Sequence, residues 1–179
     1  MKNSMLRFSV FPLIFLLCLF SGCQKKEEEM AVENQAQGDI RLDEIPLAVM
    51  DVLKARFPQP EIQKWTKEQE GEIVVYDIEF EQEGLKYEAD ISETGAIQNW
   101  EKAIGITDLP EAVMKTVKAV YSESTIKEIM EITAVSEGQD VLEGYEIVLE
   151  TADMKEVEVT VDPGGQILED SGEVKPEEM

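Results

Sequence analysis

Hydrophobic and polar positions follow two periods along this chain, and each period occurs twice. Val49, Val52, Leu53 and Phe57 are spaced by three and four, which predicts a helix with one apolar face; Val113, Val117, Val120 and Tyr121 repeat the pattern. Pro46 and Pro110 stand where the first helical residue is expected, a position at which a missing N–H is harmless. Pro58 and Pro60 stop the first helix. After each helix the period falls to two. Strands are expected at about 61–68, 72–81, 86–92 and 96–101, and again at about 125–134, 145–151, 155–161 and 166–169. Gly71, Gly84, Gly95, Gly138, Gly144 and Gly164-Gly165 are expected in the turns.

The correspondence extends to residue identity. Over 18 residues starting at Ile45 and at Leu109, seven are identical at a shift of 64. Tyr76–Glu81 then matches Tyr145–Glu150 at a shift of 69, and Tyr87–Ile91 matches Val157–Val161 at 70, so the register drifts only at turns. This pattern predicts an internal duplication. The expected class is α+β: two tandem repeats, 42–107 and 108–172, each a helix packed on a four-stranded antiparallel sheet.

Strand parity assigns side chains to faces. If Tyr76, Ile78 and Phe80 face the helix, then Asp77, Glu79 and Glu81 face away, and Glu88 and Asp90 join them from the next strand. In the second half Glu146, Glu150, Glu158 and Asp162 fall on the same outward side. One face of the sheet is therefore expected to be densely acidic, either as a solvated surface or as a recruiting surface for a basic partner. Trp65 and Trp100 have parity opposite to Ile62 and Ile97. Regular strands would place both rings outward among the acids as binding anchors, together with Asp77, Glu79, Glu88, Glu146 and Glu158. A β-bulge would return them to the core.

One loop has the spacing of a calcium site. Asp90, Ser92, Thr94, Gly95, Ile97 and Glu101 fit the positions of an EF-hand loop, although flanking strands and two hydroxyls in place of carboxylates equally fit a hairpin turn. Calcium through Asp90, Ser92, Thr94 and Glu101 is the only cofactor the sequence raises.

Composition narrows the chemistry. The chain has 179 residues, 39 acidic against 16 basic, with a formal charge of −23. Such a charge repels phosphate backbones and anionic lipid surfaces, which excludes nucleic acid as a partner and favours a basic or neutral one. There is no histidine, and the two cysteines both lie in the first 23 residues. Thiolate chemistry, a disulfide framework and histidine-based catalysis are thus absent from the folded part. No Gly-rich phosphate loop or nucleophile elbow is present, and the chain reads as a non-enzyme.

The N-terminus supplies the address. Lys2 and Arg7 precede an uncharged run of 13 residues, Phe8 to Phe20, within the span of a secretory signal core. Leu19-Phe20-Ser21-Gly22-Cys23 resembles the lipobox of bacterial lipoproteins. That resemblance implies cleavage of a 1–22 signal, a lipid on Cys23, and an extracytoplasmic location in the cell envelope. Residues 23–41, with Gln24-Lys25-Lys26-Glu27-Glu28-Glu29, read as a polar tether, and 173–179 as an acidic tail.

Ile45-Pro46-x-Ala48-Val49, the Phe57-Pro58 helix end, Lys64-Trp65 and Tyr76-x-Ile78-x-Phe80 resemble the PepSY-like family, also called beta-lactamase-inhibitor-like, over about 42–172. The second half departs from the pattern at Ser122 and Ile129. The resemblance implies two sheets joined into one curved surface able to grip a protein. The function expected is a lipid-anchored, protein-binding and inhibitor-like module; the alternative is a small-ligand or cation binder.

Overall fold

The computed structural model describes residues 41–172. A 3-10 turn at Leu42–Glu44 leads into α1 (Leu47–Arg56). Four strands follow: β1 (Glu61–Glu70), β2 (Ile73–Gln82), β3 (Leu85–Ser92) and β4 (Ile97–Ala103). The second half comprises α2 (Glu111–Val120), β5 (Thr125–Ser136), β6 (Gln139–Glu150), β7 (Glu156–Val161) and β8 (Ile167–Asp170). Pro46 and Pro110 occupy the cap just before each helix, with extended ψ of 143° and 144°. No helix among the described residues is long and apolar enough to cross a membrane.

The strands do not form two four-stranded sheets. They form one eight-stranded antiparallel sheet in which every strand lies beside its neighbour in sequence, β1 through β8. The join is between β4 and β5, where Asn99–Ala103 pairs with Met130–Ala134. The class remains α+β, but the expectation of two tandem helix-on-four-strand repeats is corrected to a single continuous sheet carrying two helices. The physical reason is the ladder itself. As sheet edges, β4 and β5 would each present a row of unpaired N–H and C=O groups, and pairing satisfies both rows at once.

The apolar side of this sheet carries two hydrophobic clusters. Val49, Leu53 and Phe57 from the α1 segment pack on Tyr76, Ile78, Phe80, Ala89 and Ile91. Val113 and Val117 from α2 pack on Ile129, Tyr145, Ile147, Leu149 and the three β7 valines. Val120, expected on the apolar face of α2, is instead 53% exposed at the helix end. Trp100 and Thr133 are partners across the join, and Thr133 shares a face with Ile129, so both helices lie on one side of the sheet. Among the described residues the other side has no helix over it.

Glycines set two close approaches. Gly95 (φ +85°) and Gly165 (φ +90°) end their hairpins against the first turns of α1 and α2; a Cβ would sit 2.8 Å from the Ala48 carbonyl oxygen and 2.9 Å from that of Ala112. Gly144 is not in a turn as expected but within β6, where a Cβ would meet the Val161 oxygen at 2.7 Å.

Candidate functional site

The uncovered face is built by the alternate residues of β2 to β7, and its pairing places like charges directly opposite. Asp77 faces Asp90, Glu79 faces Glu88, and Glu88 faces Glu101 on its other side. Such pairs are unfavourable unless cations or protons intervene. Some are relieved. Lys64 Nζ is 2.5 Å from Glu79, and Lys86 Nζ lies 2.9 Å from Glu88 and 3.1 Å from Glu128. Asn99 donates to Asp90 at 2.9 Å. Glu101 is not relieved in this way: its Oε2 is buried with no hydrogen-bond partner among the described residues.

The centre of this face is buried. Met130 and Ile132 belong to it by parity, yet are only 1% and 0% exposed, and Thr160 is buried as well. The carboxylates of this face therefore stand beside buried apolar side chains rather than in open water. Burial, followed by repulsion from Asp90, Glu88 and Glu79, pushes Asp77 up to about 8. Burial and the Glu158 and Glu88 carboxylates push Glu146 up to about 7. Burial raises Asp90 to about 6, although its hydrogen bond from Asn99 pulls the other way. Glu101 is held well above the usual carboxylate range by burial and by Glu146, Glu88, Asp90 and Asp77. Glu158, nearer the rim, is raised by burial and by Glu156 and Glu88. At neutral pH this face holds protons that ordinary carboxylates would have lost.

The two tryptophans lie elsewhere. The pairing of β1 with β2 shifts register between Ile62 and Lys64, and that of β4 with β3 skips Gln98, so each strand carries one extra residue between its isoleucine and its tryptophan. Each bulge reverses parity, and Trp65 and Trp100 pack half-buried against the α1 cluster on the helix side. The Trp65 ring centroid is 5.9 Å from that of Tyr76, and Trp100 is 5.9 Å edge-on from Phe57 with the Arg56 guanidinium 5.2 Å over its ring. Arg56 also pairs with Asp140 at the tip of the β5–β6 hairpin. The outward placement of both rings among the acids is thus corrected. The aromatic parity conflict in the sequence was the mark of the bulges.

The calcium-like spacing is a hairpin turn. Ser92 Oγ and Thr94 Oγ1 bond to each other at 3.0 Å, Ser92 Oγ accepts from the Ala96 amide, and Gly95 supplies the positive φ. Asp90 is held by Asn99, while Glu101 lies across from Glu88 on β3. Asp90, Ser92, Thr94 and Glu101 are therefore not brought together as a ligand set, and among the described residues no three acidic side chains group as a metal site. Cys23, the expected lipid attachment, lies outside the described residues.

Asp77, Glu79, Glu88, Glu146 and Glu158 all fall on the uncovered face, by the parity the sequence predicts. The sequence reading named Glu101 only as a calcium ligand. No residue pattern announces its burial, and its strand partner Ile132 and the nearby Glu146 carboxylate lie across the β4–β5 join.

A single antiparallel sheet thus carries both helices on one side and an acidic face on the other. The family model described as "Putative beta-lactamase-inhibitor-like, PepSY-like" matches residues 27–99 and 75–169, and the chain belongs to this PepSY-like family. Solved structures share the fold. A DUF2874 family protein from Bacteroides uniformis is 15% identical, with a TM-score of 0.53, covering 70% of this chain and 87% of that one. A protein from Bacteroides eggerthii described as "putative periplasmic" is 16% identical, with a TM-score of 0.54 over 70% of this chain and 86% of its own. A BLIP-like protein from Bacteroides fragilis is 20% identical, with a TM-score of 0.46 over 74% and 90%. No curated protein matches the chain.

Proposed function

We propose that this chain is a non-enzymatic, lipid-anchored module of the bacterial cell envelope that binds a protein partner through the acidic face of its sheet. The observation that carries the reading is the crowding of Asp77, Asp90, Glu101 and Glu146 on a face that no helix among the described residues covers, with every one of these carboxyls raised by burial and Asp77, Glu101 and Glu146 holding protons near neutral pH. Stability alone gives no reason for that arrangement, since opposed buried carboxylates cost free energy in the free protein. A partner that brings positive charge to the face recovers the cost on binding. Membership of an inhibitor-like family and the lipobox at Cys23 support the partner class and the location.

The test is affinity capture. Full-length protein in mild detergent is exposed to solubilised envelope extract beside a triple variant, Asp77→Asn, Glu101→Gln, Glu146→Gln. The expected result is a protein retained by the wild type and lost by the folded variant. Identical sets of bound proteins on both would overturn the assignment of the acidic face.

A further inference from the structure

We infer that Glu101 receives the guanidinium of an arginine, and that the partner presents it on an extended segment with a second basic residue two positions along. The inference rests on the protein-binding reading and names the chemistry that the face recognises.

Three observations lead to it. Glu101 Oε2 is buried without a hydrogen-bond partner among the described residues, so this face holds an unsatisfied acceptor. An orphaned acceptor of this kind is costly to leave unmade and points to a donor from outside. Next, the surrounding carboxylates come from different strands: Glu88 on β3 and Glu146 on β6 lie nearest in influence, with Asp90 and Asp77 beyond. They are close enough to repel one another but do not converge as a metal site among the described residues. A spread set of acceptors suits a flat, delocalised cation with five donors, and a guanidinium is also less strongly hydrated than an ammonium. Lys64 and Lys86 meanwhile engage Glu79, Glu88 and Glu128.

The spacing of the second charge follows from the sheet. Glu88 is paired with Glu101, and Asp90 with Asn99, so the two acidic rows are separated by two residues along the strands. That step is about 6.8 Å, the same step that separates alternate side chains of an extended chain. An Arg-x-Arg segment laid along the strands therefore sets one guanidinium at Glu101 and the next over Asp77 and Asp90. Adjacent arginines would point to opposite sides of such a segment and lose one contact.

The experiment measures fluorescence anisotropy of labelled peptides with the full chain in mild detergent at pH 7. The probes are Thr-Arg-Thr-Arg-Thr, its lysine and citrulline counterparts, and Thr-Arg-Arg-Thr-Thr. Alternating arginines should bind at least about tenfold tighter than lysines or adjacent arginines, and citrulline should not bind. Glu101→Gln should remove at least about tenfold of the affinity. This variant keeps the shape of a side chain that is neutral in the free protein and should fold; Asp77→Asn, read alongside, should weaken the alternating peptide but leave the adjacent one unchanged. Calorimetry in phosphate and in Tris should show protons released on binding. Equal binding of arginine and lysine peptides, or no effect of Glu101→Gln, overturns the inference. If envelope capture still depends on the acidic face in that event, the protein-binding reading stands without it; if capture fails as well, both fall.

Discussion

Raising the pH from 4 to 8 should destabilise this protein, and Asp77 gives the size of the effect. In the unfolded chain its carboxyl ionises near 3.8, whereas in the fold burial and neighbouring carboxylates hold the proton to about 8. Between those values the folded state binds more protons than the unfolded one, so the stability of the fold declines as pH rises. At about 1.4 kcal/mol per unit, Asp77 alone corresponds to a loss of about 5 kcal/mol across this window. Asp90 and Glu146 titrate in the same range, at about 6 and about 7. Their shifts arise partly from repulsion within the same cluster, so they overlap with that of Asp77 rather than adding to it. For a domain of this size about 5 kcal/mol is a fall in Tm on the order of 15 °C. The assay is urea unfolding followed by tryptophan fluorescence, with calorimetry beside it, at half-unit steps from pH 4.5 to 8.5 and constant ionic strength. Asp77→Asn removes the proton and should flatten most of the slope. A midpoint that is level or rises between pH 5 and 8, or a slope unchanged by Asp77→Asn, would refute the argument that these carboxylates are buried against one another.

Phe80 is 0% exposed and touches both Phe57 (centroids 4.8 Å) and Tyr87 (5.4 Å, stacked), so Phe80→Ala should cost about 3–5 kcal/mol in urea unfolding. Gly84→Ala should cost only about 1–2 kcal/mol, because φ is +77° but nothing lies within 4 Å of the added carbon. Gly165→Ala meets the same backbone penalty plus the Ala112 oxygen at 2.9 Å, and the same denaturant series should show a clearly larger loss. Tyr121 donates to Asp170 at 2.5 Å and so ties the end of α2 to the last strand. Tyr121→Phe should cost about 1–2 kcal/mol and should speed hydrogen exchange in β8 before other strands.

Much of this architecture is written in periodicity. The spacing of Val49, Leu53 and Phe57 shows which side of α1 is buried, and alternation from Tyr76 to Phe80 shows which side of β2 faces it. Asp77, Glu79 and Glu88 were legible as outward residues for the same reason, since a period of two leaves no other choice. The bulges were legible only as a contradiction. Trp65 and Ile62 have opposite parity in a regular strand, and an aromatic ring is a poor fit to a charged face, but nothing local identifies Gln63 or Gln98 as the additional residue. The β4–β5 join was not legible at all. A strand's own pattern fixes what its faces meet and is silent about which strand borders it, and here a helix intervenes in sequence between the two partners. Glu101 follows from that gap, because its strand partner Ile132 and the neighbouring Glu146 lie beyond the join. Residues 139–144 read as a turn because Asp140 and Gly144 suit strands poorly, yet they extend β6 where Gly144 lets the Val161 backbone close in.

The β4–β5 join also decides how the molecule comes apart. Its five paired positions include the buried Met130 and Ile132 and complete the hydrogen bonding of two central strands. A cut between Gly105 and Asp108 would leave two fragments, each ending in a bare, adhesive strand whose proper complement is the other fragment. Such pieces would either reassemble with each other or aggregate, and neither would behave as a free-standing miniature of the whole. Ruptures that begin in one half therefore propagate into the other, and the natural unit for splitting, tagging or circularly permuting this protein is the entire sheet.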